Sequence, residues 1–556
     1  MKNIVKLTLA AACTLTLAAG CIKETFPESA TQTSKQVADA PGSYDLFVDA
    51  ITNTLVGQFV YAPNSTNAYD FGLPAFFIRW DSMGQDLVQP GLTNGWFDSW
   101  YCIDHLGPTW ANSQYAWTLY YKWIKSCNDV IRLAGSEPDA DKKPGAGRAF
   151  FYRAYFYMDL AQMFAAEPAT VNPAAETVPL VVETTDVEAL ANNPRATNAD
   201  MYAQIISDLD KAEEYLTGYE RSDVYTPDLS CVYGLKARAY LLTGDWAKAR
   251  EYAKKAQAGY TIMNEDAYTN WETGFNTPNA AWMLGVTFKA DDPNIQKNDG
   301  DSSWGSWMCM EINPATSGCG YAANYGHPIH IDRHLYETIP ATDFRKKCFA
   351  DFAIDDMSEE AAIEALSAYT KHPEWIYESN DGNGNPNGGT NFKFRTAGGE
   401  AGRDNQYIGF VVAVPMMRVE EMYLIEAEAA GRLNENEGIQ LLTTFAKTRD
   451  ASYTYGTHTD AYYNNATGTF LNEVWWQRRV EFWGEGLATK DIKRLQKGII
   501  RSYPNSNHVE NYRFNVEKTP DWMNLCIVQT ETNYNFACTN NNEPVAPKGD
   551  SAEFVW

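Results

Sequence analysis

Two stretches of this chain combine tryptophan and tyrosine with side-chain amides in surroundings poor in charge. Residues 85–110 hold Asn94-Gly95-Trp96, Trp100, Tyr101 and Trp110, and residues 282–325 hold Trp304-Gly305-Ser306-Trp307, Tyr321, Asn324 and Tyr325. An indole or phenol offers a flat apolar face and a hydrogen-bonding edge, which suits stacking on a sugar ring or a peptide group while amides fix its orientation. That is the chemistry of retention, not of bond making. The candidate ligand-contacting residues are Trp96, Trp100, Trp304, Trp307, Tyr321 and Asn94, with Trp96, Trp304 and Trp307 foremost. Large aromatics also fill cores, so only a few of the 17 Trp and 33 Tyr are expected to meet a ligand.

Reactive constellations are weak by comparison. His327, His330 and His334 are closely spaced, yet no His-Glu-x-x-His accompanies them and no acidic ligand is placed for zinc. They read as structural histidines. Asp381-Gly382-Asn383-Gly384-Asn385 echoes the start of a calcium loop but carries Pro386 at the sixth position and Phe392 at the twelfth, and so reads as a solvated turn. Neither a Gly-x-Ser-x-Gly elbow, a phosphate loop nor a dinucleotide fingerprint occurs. A pair of carboxylates for glycoside hydrolysis can always be chosen among 71 acidic residues, so that feature decides nothing. No catalytic residue, metal or cofactor is assigned.

The first residues supply an address. Lys2 and Lys6 precede an apolar run from Leu7 to Ala19, too short to span a bilayer, which needs roughly 20 residues. The run ends in Leu17-Ala18-Ala19-Gly20-Cys21, which looks like a bacterial lipobox. Residues 1–20 then form a signal peptide, Cys21 the lipidation site, and the polar residues 21–43 a flexible tether. Lys23-Glu24 resembles the signal that sends such lipoproteins to the outer face of the outer membrane. The formal charge of −26 becomes −28 once Lys2 and Lys6 are removed, which argues against nucleic acid as a partner. Cys309 with Cys319, and Cys526 with Cys538, are close enough in sequence to be disulfide candidates, although buried free thiols fit most of the cysteines better.

Helical periods dominate residues 44–556. Trp117, Tyr120, Ile124, Cys127 and Ile131 recur at three- and four-residue steps, and residues 148–165 are apolar nearly all round. A helix over 230–243 breaks at Gly244-Asp245 and resumes over 246–259; a second pair, 418–431 and 435–449, breaks at Arg432-Leu433-Asn434. Such pairs resemble tetratricopeptide units, which bury their faces by stacking. Between about 265 and 415, clusters of Gly, Asn, Asp and Pro replace the long periods, predicting a loop-rich insertion where recognition is expected. The expected fold is mainly α, with tetratricopeptide-like helix pairs stacked in a superhelical scaffold that carries large loop-rich insertions.

Five blocks in order resemble the SusD/RagB family of outer-membrane nutrient-binding lipoproteins. They are Gly147-Arg148-Ala149-Phe150-Phe151-Tyr152-Arg153-Ala154-Tyr155-Phe156-Tyr157 with Val178-Pro179-Leu180, then Pro194-Arg195-Ala196-Thr197 with Tyr202 to Leu209, and Lys236 to Trp246. Met417 to Ala429 follows, and last comes Arg478-Arg479-Val480-Glu481-Phe482-Trp483-Gly484-Glu485-Gly486 with Asp491 to Arg494. After Gly486 the family commonly has a basic residue and an aromatic, whereas Leu487-Ala488-Thr489-Lys490 stand here. Arg478, Arg479, Glu481 and Asp491 read as a salt-bridged helix junction, because opposite charges recur at helical spacing. The resemblance implies a non-enzymatic surface lipoprotein that captures oligosaccharide or polysaccharide and passes it to a SusC-like TonB-dependent transporter. A RagB-like peptide binder is the rival within the same family; a secreted helical glycosidase and a scaffold without small ligand are the rivals outside it.

Overall fold

The computed structural model describes residues 42–58, 69–92, 97–354, 357–380, 388–458 and 468–556. Cys21, the signal peptide, residues 21–41 of the expected tether, and the turn at 381–387 lie outside the described residues, and a helix begins at Ser43. By internal contacts the chain divides into residues 1–46 and 47–556, and the second unit holds the principal helices and all the strands. It is mainly α.

Its principal helices are α1 (Leu73–Met83), α2 (Ala111–Ala134), α3 (Lys143–Phe164), α4 (Asn198–Leu216), α5 (Leu229–Thr243) and α6 (Trp246–Ala256). After the loop-rich region come α7 (Val419–Leu433), α8 (Glu435–Ala446), α9 (Gly468–Glu481) and α10 (Ala488–Arg494). Helices α2 and α3 pack together, as do α3 and α4, α5 and α6, α6 and α7, and α7 and α8. The predicted pairs are therefore real, and they are stacked on one another.

The breaks follow from the residues that occupy them. Gly244 ends α5 with a left-handed φ of 80°, a conformation that glycine adopts without a side-chain clash. Asp245 then caps α6 by accepting the Lys248 backbone N–H at 3.1 Å. Thr197 and Asp228 cap α4 and α5 in the same way. Ala237, Ala239, Ala249, Ala253 and Ala256 are fully buried, so the α5–α6 pair closes on small side chains. Between α7 and α8 the approach is tighter still: a Cβ on Gly438 would sit 2.3 Å from the Gly431 Cα. Leu424, Leu442, Phe445, Phe470 and Val474 share one core cluster around that contact.

Short strands tie the loop-rich region to this scaffold. β1 (Leu87–Val88), β3 (His330–Ile331), β5 (Thr390–Asn391) and β4 (Phe349–Ala350) form one antiparallel sheet in that order, while β2 (Trp282–Thr287) pairs with β6 (Ala413–Arg418). Leu87 lies opposite Ile331 and Val88 opposite His330, which draws the two aromatic stretches toward each other.

The suspected ionic junction is built as one. Glu481 is fully buried and receives hydrogen bonds from Arg345 at 3.2 Å, Arg418 at 3.1 Å and Arg449 at 3.0 Å. Those guanidiniums hold its carboxyl well below the usual range against the opposing effect of burial. Arg479 meets Asp86 at 2.5 Å, and the Trp483 indole N–H donates to the Asp86 carbonyl at 2.8 Å, so α9 and the turn after it fix the residue that leads into β1. Asp81 of α1 accepts from the Gly486 and Ala488 N–H groups at 3.0 and 3.1 Å, pinning the start of α10 where the family pattern lapses.

The disulfide candidates are corrected. Cys309, Cys319, Cys526 and Cys538 are all free and buried, as are Cys102, Cys127, Cys231 and Cys348. The Cys309 thiol is pushed up by burial among apolar neighbours, which keeps it protonated and inert.

Candidate functional site

The second aromatic stretch folds around a short helix, Trp304–Met308, capped by Ser303, whose hydroxyl accepts the Ser306 N–H at 3.3 Å. The Ser306 hydroxyl in turn accepts the Tyr321 N–H at 3.0 Å, and the Ser306 carbonyl accepts the Ala322 N–H at 2.8 Å. Asp301 accepts the Gly320 N–H at 2.8 Å and the Ser306 hydroxyl at 3.3 Å. Burial pushes its carboxyl up to about 6. These bonds fix the backbone of Tyr321 before any ligand is considered, and a fixed ring binds with less entropic cost than a floppy one.

On that support an aromatic stack is assembled. The rings of Trp307 and Tyr321 lie parallel, 4.2 Å apart with an interplanar angle of 5°. Phe97, from the first stretch, meets Trp307 edge-on at 4.8 Å, so the structure does bring the two stretches together. Tyr325 leans on Tyr321 at 5.1 Å and is 41 % exposed, which makes it the solvent-facing end of the stack. His327 closes the far side, its ring 6.1 Å from Tyr321 and its Nδ1 2.6 Å from the Gly91 carbonyl. Beside the stack, the exposed Tyr407 donates its hydroxyl to Asp299 at 3.2 Å. Burial above all, then the nearby Asp301 and to a lesser degree Asp299, push the Tyr325 phenol up to about 12. Both phenols are thus neutral donors next to carboxylate acceptors, an arrangement able to read hydroxyl groups beside a flat apolar face.

The individual expectations fare differently. Tyr321 is part-exposed in the stack, whereas Trp307, only 4 % exposed, backs it from the core and is corrected to a supporting residue. Trp100 and Trp304 are core residues and are corrected as such: each is only 1 % exposed. Trp304 is held edge-on between Phe77 at 6.3 Å and Phe394 at 5.1 Å. Trp100 lies under the Arg79 guanidinium at 5.8 Å. Asn94 and Trp96 lie outside the described residues, directly before Phe97 in the sequence. Trp110 is exposed but pairs with His105 at 4.2 Å. Tyr407 was not anticipated; its signal was the run Asn405-Gln406-Tyr407, amides beside an aromatic in the same loop-rich region. The histidines act structurally: His330 Nδ1 lies 2.8 Å from the Gly388 carbonyl, and burial lowers its ring to about 4. His334 stacks on Trp556 at 3.5 Å. Among the described residues, no three or more His, Cys, Asp or Glu side chains are placed to hold a metal, and no helix is long and apolar enough to cross a membrane.

Comparison with known proteins gives the family. The description "SusD family" matches residues 252–542, and "Starch-binding associating with outer membrane" matches residues 79–241. The chain belongs to the SusD family. Among solved structures, a SusD-like carbohydrate binding protein from Bacteroides vulgatus is 22 % identical, with a TM-score of 0.70 over 89 % of this chain and 97 % of that one. A SusD superfamily protein from Bacteroides thetaiotaomicron is 18 % identical, with a TM-score of 0.65 over 90 % and 99 %. Surface glycan-binding protein A from Bacteroides thetaiotaomicron, solved with laminarihexaose, is 17 % identical, with a TM-score of 0.62 over 90 % and 99 %. At such identities the likeness is one of fold. No curated protein sequence matches this SusD-family chain.

Proposed function

We propose that this protein is a lipid-anchored, cell-surface glycan-binding member of the SusD family, which captures oligosaccharides at the outer membrane and passes them to a TonB-dependent transporter. The observation that carries the reading is the Trp307–Tyr321 stack with exposed Tyr325 at its end and Asp299 and Tyr407 beside it. Flat rings gain apolar contact with a pyranose face, and neighbouring carboxylate and phenol groups exchange hydrogen bonds with its hydroxyls. The family's description as starch-binding and outer-membrane-associated supports the ligand class and the location, as does the relative solved with laminarihexaose. Retention needs no turnover, and the side chains of the stack serve it without a nucleophile or base.

Lipidation at Cys21 and a tether over 21–43 keep the binder beside its transporter. A tethered partner acts at high effective concentration, so modest affinity suffices for transfer. On sequence position alone, directly before Phe97, Asn94 and Trp96 are candidate contacts of the same glycan. Calorimetric titration with laminari-, malto-, xylo- and manno-oligosaccharides tests the reading, with binding to at least one series expected and weakened in Tyr325→Ala and Trp96→Ala. Binding to peptides with none to any glycan would overturn the sugar reading in favour of a RagB-like peptide binder, and release of shortened products from a labelled glycan would overturn the non-enzymatic one.

A further inference from the structure

Three surface segments that take no part in the aromatic stack are laced together: residues 104–114, residues 186–193 and residues 529–545. The Gln529 N–H donates to the Pro108 carbonyl at 2.9 Å, and the Thr530 hydroxyl donates to the Gln114 side-chain oxygen at 3.0 Å. Farther along, the Phe536 N–H donates to the Ala191 carbonyl at 2.9 Å. Buried Asn535 closes the join: its Oδ1 accepts the Asn193 N–H at 3.0 Å, and its Nδ2 donates to the Asn193 carbonyl at 2.7 Å. The Glu543 side chain lies against Gly107, where a Cβ would collide with its carboxylate.

This frame turns apolar side chains outward. Asn535 is spent on the inward bonds, and its neighbours Tyr534 and Phe536 are left 76 % and 78 % exposed. On the crossing segment Val187 is 79 % exposed and Leu190 is exposed beside Ala191, while Trp110 is exposed just past Pro108. Single apolar side chains scattered over a surface are ordinary, but several held on one hydrogen-bonded frame mark an interaction site. Because the frame is fixed, a partner does not have to order these segments, which lowers the cost of docking.

The charge on this strip is one-sided. Asp104, Asp186, Glu188, Glu531 and Glu543 lie in the three segments, which contain no Lys or Arg at all. Among the described residues, none of the five makes a salt bridge to Lys or Arg, and Asp104 meets only His105. That balance selects the occupant. A second copy of the strip would set carboxylates against carboxylates, and anionic lipid headgroups are repelled in the same way. A glycan could stack on Trp110 or Tyr534, but Val187, Leu190 and Phe536 offer its hydroxyls no hydrogen bond. A protein surface that presents apolar side chains ringed by Lys and Arg satisfies both the rings and the acids.

We propose that this strip is a protein-docking face for a partner with a basic-rimmed apolar surface; on the function proposed above, on which this identification rests, that partner is the transporter. Phe536 and Tyr534 are the anchors, and the carboxylates steer and orient the approach. The face is built from other segments than the glycan surface, so docking and glycan retention can be broken separately.

The full-length chain, tagged and purified from detergent-solubilised outer membranes of its own cells, tests the face through the amount of TonB-dependent transporter retained with it. Phe536→Glu should lower retention by about tenfold, as loss of an interface anchor does. Glu188→Lys combined with Glu543→Lys should lower it less and flatten its dependence on salt. These side chains are exposed, so the variants should keep the melting temperature and the glycan affinity of the unaltered protein. Undiminished retention in Phe536→Glu overturns the docking face and leaves the transporter partnership standing, whereas no transporter with the unaltered protein overturns the partnership and the face with it. Loss of glycan affinity in Tyr534→Ala would replace the docking face with a sugar platform. Binding to vesicles of anionic phospholipid that Phe536→Glu abolishes would replace it with a lipid contact.

Discussion

The junction around Glu481 and the stack around Tyr321 are both rich in polar groups and aromatic rings, yet they are finished in opposite ways. At the junction every charge faces inward: Glu481 is shared by Arg345, Arg418 and Arg449, and all four side chains are almost wholly buried. At the stack, Tyr325 and Tyr407 stay exposed, with Asp299 turned to a phenol instead of a cation. A closed ionic knot fixes geometry, whereas an open polar-aromatic face waits for a partner that supplies the missing contacts. The scaffold is where this family's sequence blocks lie, and the open face is in the loop-rich region between them.

The sharpest break in the comparison is Glu481→Ala. It leaves three buried guanidiniums without their shared carboxylate and should cost about 3–5 kcal/mol, read as a large fall in the urea midpoint. An unchanged midpoint would mean that the junction does not carry the fold. Trp304→Ala should follow at about 3 kcal/mol, because a large buried side chain is removed from the Phe77–Phe394 contact. Tyr325→Ala, only a short way along the same loop, should alter stability by less than about 0.5 kcal/mol. Its glycan affinity should nonetheless fall by about tenfold, near the upper end of a ring-contact contribution.

pH separates the two regions by sign. The Glu481 carboxyl is lowered in the fold, so the stability it contributes is present above its unfolded value near 4.3 and is lost as pH falls below that. The Asp301 carboxyl is raised to about 6 by burial, so its contribution is complete below its unfolded value near 3.9 and is lost as pH rises through 6. Melting curves from pH 3 to 8 should show Glu481→Gln flattening the acid side and Asp301→Asn flattening the side between about pH 4 and 7. Swapped effects would refute the assignment of either group.

The scaffold was legible because its signals are local. A glycine and an aspartate between two alanine-rich periods leave few options other than a tight helix pair, and Asp245 caps the second helix at that break. The candidate site was legible only in outline, since burial of one ring depends on residues far away in sequence. Trp304 and Trp307 are three positions apart on one short helix and look equivalent in sequence. Both are buried, Trp304 between Phe77 and Phe394 and Trp307 against Phe97 and Tyr321, and only the tyrosines beyond Trp307 reach solvent. Trp100 is hidden for the same reason: Arg79, on α1, lies over it. Tyr407 escaped notice because it joins Asp299 across more than a hundred residues.

The most direct test of the central claim is a crystal structure of the protein with an oligosaccharide that it binds in titration. A sugar ring packed on Tyr325 and Tyr321, with hydroxyls reaching Asp299 or Tyr407, is the predicted result. Density for the glycan elsewhere on the protein, with the Tyr321–Tyr325 face bare, would contradict it.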